Sequence, residues 1–172
     1  MNSTRCRWTI ARDGAAFRRV VPSPSPVRIV QAPLVRTLLE SRYLVGGGGV
    51  PVRSDGKGRQ TGLQAVVDKD LASAALAAEL TADMLVMLTD GDFVSENWGT
   101  AEQRDILTAS PEAISRLAFA EGSMKPKADA AVRVAQAGGR ALIGPLERLD
   151  DLLGRNVGTE IRPDVPDGIV YV

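Results

Sequence analysis

From Val27 onward the sequence alternates short apolar runs with stretches of helical period, and this alternation restricts the fold more than any other feature. Ala32 to Ser41 puts Leu34, Val35, Leu38 and Leu39 on one helical face, and the short run Tyr43 to Val45 leads into four glycines. Val50-Pro51-Val52 leads to a polar tip at Ser54 to Arg59, and Leu63 to Val67 reads as the returning strand. Leu71 to Leu80, rich in alanine and leucine, predicts a helix. Met84 to Leu88 is apolar throughout and predicts a strand covered on both faces. Ser110-Pro111-Glu112 supplies an N-cap, a proline at the first helical position and an acid in the first turn of a helix reaching about Ala118. Pro126 to Ala137 predicts a further helix stopped by Gly138-Gly139, followed by a strand at Ala141 to Ile143 and a helix at Leu146 to Leu153. Such alternation implies an α/β protein, a three-layer αβα sandwich with a mainly parallel sheet.

The first residues follow another pattern. Arg7 to Ala11 and Phe17 to Val21 are short β-prone runs separated by Asp13-Gly14, the mark of a hairpin. Pro22-Ser23-Pro24-Ser25-Pro26 then denies the backbone its donors, so it is either a linker or an ordered extended loop.

Composition removes whole classes of function. At 172 residues one domain is expected, and 21 Lys plus Arg balance 21 Asp plus Glu, so no global field draws the chain to nucleic acid or to an anionic membrane. The absence of histidine excludes His-based acid/base catalysis and His-ligated zinc, and the single cysteine, Cys6, excludes an internal disulfide. No apolar run is long enough to span a bilayer, and the first residues lack the apolar core of a signal peptide. A cytoplasmic protein without membrane or nucleic-acid partners is the expectation.

In open α/β sheets, ligands collect beyond the carboxyl ends of the strands, so the residues after each apolar run carry the functional reading. Gly46 to Gly49 could admit a phosphate or small anion to backbone amides, but it is neither a Walker A loop nor a GxGxxG motif. Alone it is more often a tight connection. Asp68-Lys69-Asp70 opens a helix; an aspartate there is an ordinary N-cap, whereas Lys69 has the wrong sign for a helix start and implies an anion or carboxylate opposite it. Leu88-Thr89-Asp90 ends the most apolar strand and, read alone, is a polar turn. The sharpest signal is Glu121-Gly122-Ser123-Met124-Lys125-Pro126-Lys127, which sets lysines in the first turn of a helix behind a glycine-serine turn. Free amides and the positive end of the helix dipole favour an anion there. A nucleotide-dependent phosphoryl transferase accounts for all these stretches, since that chemistry needs alignment and charge neutralisation rather than histidine. The chain divides into a β-hairpin and proline-rich segment (1–26) and a nucleotide-binding α/β domain (27–172).

Taken in order, several stretches resemble the carbamate kinases of the amino-acid kinase family: Arg18-Arg19-Val20-Val21-Pro22-Ser23-Pro24, Gly46-Gly47-Gly48-Gly49-Val50-Pro51-Val52, Val67-Asp68-Lys69-Asp70-Leu71-Ala72-Ser73, Leu88-Thr89-Asp90, Asn97-Trp98-Gly99, Gly122-Ser123-Met124 with Pro126-Lys127, and Gly138-Gly139-Arg140. The resemblance covers the chain from about Trp8. It implies an amino-acid kinase-like fold and interconversion of ATP plus carbamate with ADP plus carbamoyl phosphate, using Mg2+, in arginine and carbamoyl-phosphate metabolism. It further implies that Lys127 grips the transferring phosphoryl group, Asp70 orients the catalytic lysines, and Lys69 lines the site. Thr89 and Asp90 would lie by the nucleotide together with Ser123 and Met124, Gly47, Gly48 and Gly49 would border the phosphate and carbamate region, and no residue is assigned to a metal. Because the carbamate-binding half of such enzymes precedes these motifs, the sequence reads as their C-terminal part with the N-terminal half missing. A homodimer or a complementing N-terminal chain is the expected partner, and a catalytically inactive nucleotide-binding module or gene remnant is the alternative.

Overall fold

The computed structural model describes residues 9–13, 16–40, 49–119, 123–166 and 168–172. The expectations for Cys6, Tyr43 to Val45, Gly46 to Gly48 and Glu121-Gly122 lie outside these residues. Strands β1 (Thr9–Asp13) and β2 (Ala16–Val20) form the expected antiparallel hairpin, pairing Thr9 with Val20 and Asp13 with Ala16. The proline-rich segment is bonded to the body of the protein: Pro22 O accepts from Val66 N (3.0 Å) and Pro26 O from Arg133 Nη1 (3.0 Å). It is therefore an ordered extended segment. Helix α1 (Ala32–Glu40) follows, tethered where Arg36 donates to the carbonyl of Glu79.

Strands β3 (Val52–Ser54) and β4 (Gln60–Gly62) form a separate two-stranded hairpin around the polar tip. The strand expected at Leu63 to Val67 is absent. The β4 pairing ends at Gly62, and the next donors are taken one at a time, Leu63 N by Pro51 O and Val66 N by Pro22 O, so no continuous ladder forms.

Helix α2 (Lys69–Leu80) turns back through Thr81 into β5 (Met84–Thr89). Strands β6 (Val94–Glu96) and β7 (Arg104–Ala109) form a hairpin, and helix α3 (Pro111–Ser115) starts at Ser110, whose hydroxyl accepts from Ala113 N (3.1 Å). Helix α4 (Met124–Gln136) leads through Gly138-Gly139 into β8 (Arg140–Pro145). A 3-10 turn at Leu146–Arg148, helix α5 (Leu149–Leu153), β9 (Thr159–Ile161) and β10 (Ile169–Tyr171) complete the chain.

The main sheet runs β10-β7-β9-β8-β5, with β6 pairing β7 where β9 ends. It is mixed rather than mainly parallel: β5–β8 and β7–β9 are parallel, whereas β10–β7, β8–β9 and β6–β7 are antiparallel. The parallel β5–β8 pair at one side of it is built from two helix–turn–strand units, α2–β5 and α4–β8. In β5, Leu85 and Met87 join the core beneath α2 and α4, while Met84, Val86 and Leu88 pack with Leu142, Leu152 and Val157 beneath α5. Alternation at period two thus sends one apolar run to both faces, and the layers are helix, sheet and helix.

Alanines at 74, 75 and 77 in α2 and at 128, 130, 131 and 135 in α4 are buried, and such small side chains let the two helices pack closely. Gly139 completes this close packing, since a Cβ there would lie 3.0 Å from both Ala82 O and Val134 Cγ1. Among the described residues no helix is long and apolar enough to cross a membrane.

Candidate phosphoryl-transfer site

Because each helix of the α2–β5 and α4–β8 units runs into its strand through a tight turn, it lies antiparallel to that strand. The parallel pairing of β5 with β8 then brings both helix N-termini to the carboxyl end of the sheet. That end is where an α/β sheet presents ligand sites and where two helix dipoles point their positive ends.

The side chains are placed by the helical stripe itself. In α2 the buried positions include Asp70, Ala74 and Ala77; in α4 they include Lys127, Ala131 and Val134. Both sets have the spacing i, i+4, i+7, so a charged residue terminates the apolar stripe on each helix and faces the other. Lys127 Nζ lies 3.1 Å from Asp70 Oδ2, and each side chain is only 10% exposed. Lys69 Nζ reaches the same oxygen at 3.3 Å from a side chain 72% exposed. The first turn of α2 is set by Asp68, whose Oδ1 accepts from Asp70 N (2.8 Å) and Leu71 N (3.3 Å). Asp68 is thus the N-cap, Asp70 the organiser of two ammonium groups, and Lys69 a cation whose unfavourable place at a helix start is offset by its neighbour's carboxylate.

Thr89 is the last residue of β5, and by alternation it shares the face of Leu85 and Met87, on the side of α2 and α4. Asp90 follows it and is exposed. Ser123 occupies the cap position of α4 but makes no side-chain capping bond, and Met124 packs partly buried against the core. Lys125 pairs instead with Asp129 one turn on, at 3.1 Å. Gly49 is exposed, with nothing within 4 Å of where a Cβ would stand. Hydrogen bonds and ion pairs therefore bring Lys69, Asp70 and Lys127 together, and topology brings Thr89, Asp90, Ser123 and Met124 to the same end of the sheet.

Two features near this end were not anticipated from the sequence. Thr159, fully buried, accepts from Val94 N (2.8 Å) and donates to Ile106 O, joining β6, β7 and β9 where they meet. Arg148 Nη1 lies 3.6 Å from Asp92 Oδ2, which ties the turn after Asp90 to the start of α5. Their partners are far apart in the chain and carry no local signature.

The family model described as the amino acid kinase family matches residues 3–144, most of the chain. The chain belongs to the amino acid kinase family. It is 46% identical over 168 residues to the carbamate kinase of Haemophilus influenzae, covering 95% of this chain and 54% of that protein. It is 45% identical over 156 residues to that of Escherichia coli K12, covering 88% of this chain and 51% of the relative. Among solved structures, the carbamate kinase from Giardia lamblia bound to AMP-PNP superposes with a TM-score of 0.82 at 35% identity, covering 92% of this chain and 52% of that one. The chain thus spans about half the length of the relatives it matches.

Proposed function

We propose that this chain is a carbamate kinase-like phosphotransferase, which binds the nucleotide, grips the transferring phosphoryl group and interconverts ATP plus carbamate with ADP plus carbamoyl phosphate. The observation that carries the reading is the convergence of Lys127 and Lys69 on one carboxylate at the positive ends of two helices. Lys127 spends one of its three N–H donors on Asp70 and keeps two for phosphoryl oxygens. In the transfer, the bond from the γ-phosphorus to the ADP oxygen breaks as a bond to a carbamate oxygen forms. The protein's share is to align the two oxygens and neutralise charge on the three equatorial ones. Asp70 holds the ammonium groups in register for that task, Thr89, Asp90, Ser123 and Met124 border the nucleotide, and Gly47, Gly48 and Gly49 border phosphate and carbamate.

No group of three or more Asp, Glu or Cys side chains that could hold a metal ion occurs among the described residues. Mg2+ would be held mainly by the nucleotide's phosphate oxygens and would neutralise charge there.

The extent of the match favours a second reading, in which this chain binds nucleotide and turns over only when joined to a chain equivalent to the rest of the relatives. Coupled detection of ATP formed from ADP and carbamoyl phosphate tests both. Turnover by this chain alone supports the first reading. Turnover that appears only on mixing with the unmatched part of a relative supports the second, and none in either case removes the proposed activity.

A further inference from the structure

On the opposite face of the sheet from Asp70 and Lys127, three arginines surround a single buried glutamate: Arg140 opens β8, Arg155 follows α5 and Arg162 follows β9. Glu160 of β9 pairs with Leu142 of β8, and Leu142 packs on Leu152 and Val157 beneath α5, so Glu160 points to the α5 side. Its side chain is 7% exposed. Arg155 Nη2 donates to Oε1 at 3.0 Å and Arg140 Nη1 at 3.5 Å, while Arg162 Nε stands 4.0 Å from Oε2. We propose that Arg140, Arg155 and Arg162 form a second anion site, for a compact oxyanion of the phosphate class, separate from the phosphoryl-transfer site.

Neutralising Glu160 does not account for the cluster. Arg155 and Arg140 both donate to Oε1, three guanidinium charges stand around the one carboxylate, and at 4.0 Å Arg162 adds no hydrogen bond to Oε2. Arg162 Nε is enclosed and has no hydrogen-bond partner; its other ion-pair oxygen, Asp164 Oδ1 at 3.4 Å, belongs to a side chain 70% exposed. A buried donor left unmade is costly, and an oxyanion would satisfy it. Arg155 also holds a left-handed backbone (φ 63°) just past the end of α5, a place that glycine fills without penalty. An arginine kept there brings its planar fork to Glu160 and leaves further donors at a half-exposed edge. Guanidinium groups presented this way match the geometry of phosphate oxygens, and Glu160 holds the forks in place without using all their donors.

The test is a titration of the chain with inorganic phosphate at fixed ionic strength, followed by NMR of the arginine Nε–H signals. Saturable shifts at Arg155 and Arg162, absent with chloride, are expected, and Arg162→Gln should weaken the response at Arg155 at least about 10-fold. Should Arg162→Gln fail to fold, Arg155→Gln, which alters a half-exposed side chain, is read at Arg162 instead with the same expected loss. Linear shifts, an equal response to chloride, unchanged affinity in a folded variant, or saturation confined to amides at the starts of α2 and α4 would each overturn the proposal.

Discussion

Asp70 is the residue on which the candidate site turns, because it is buried and takes both lysines on one oxygen. Lys127→Ala leaves this buried carboxylate with only an exposed partner and is expected to destabilise the fold by roughly 3 kcal/mol, whereas Lys69→Ala, at an exposed side chain, should cost less than about 1 kcal/mol. Urea unfolding of the two variants separates them. The lysines were legible because a cation at a helix start is electrostatically out of place. Their partner was less so, since Asp70 and Lys127 are 57 positions apart and only tertiary packing of the two stripes joins them.

At the far edge of the sheet the Tyr171 hydroxyl donates to Glu96 Oε2 (2.5 Å), and that bond, with some desolvation, raises its pKa above the usual 10.0 against the opposing Arg104 over the ring. The stability from this bond is fully present below pH 10 and is lost as the pH rises through the raised value. Tyr171→Phe should therefore lower stability at neutral pH and flatten its fall in alkaline solution, as thermal melts across that range would show.

Among the elements, β8 and α5 pack with no room for a further atom at two glycines. A Cβ on Gly144 would meet Leu152 Cδ1 at 2.7 Å, and one on Gly158, whose φ is 92°, would meet the same atom at 2.2 Å and Ile143 O at 3.0 Å. Gly158→Ala adds left-handed strain to overpacking and is expected to cost about 2–4 kcal/mol. In the Leu152→Ala background part of that cost should disappear, so a double-mutant cycle should give a coupling of about 1 kcal/mol or more, and strict additivity would contradict the packing account. The helices and β5 were readable from period, capping and apolar runs. Strands β6, β9 and β10 were not, because three residues each are too few to show alternation, and β7 opens with Arg104-Asp105. Those unread strands supply the antiparallel pairings, which is why the sheet is mixed. Conversely, Leu63 to Val67 has strand composition but finds no neighbouring strand to complete a ladder.

For the whole molecule, most exposed large apolar side chains of the described residues lie between Ile10 and Val66, among them Phe17 at 73% and Leu34 at 60%. The sheet below α2, α4 and α5 is by contrast well covered. Apolar surface on this scale promotes association, so the double substitution Leu34→Lys, Leu38→Lys should reduce self-association in sedimentation experiments without changing the far-ultraviolet circular dichroism. In the proposed function, two helix N-termini and Lys127 form a working nucleotide site within this chain. Calorimetric titration with Mg-ADP tests it directly, with Lys127→Ala and the loop-tip variant Lys57→Ala alongside. Saturable binding, weakened at least about 10-fold by Lys127→Ala and untouched by Lys57→Ala, is the predicted result. No binding by a folded chain, or equal losses in the two variants, would contradict the account.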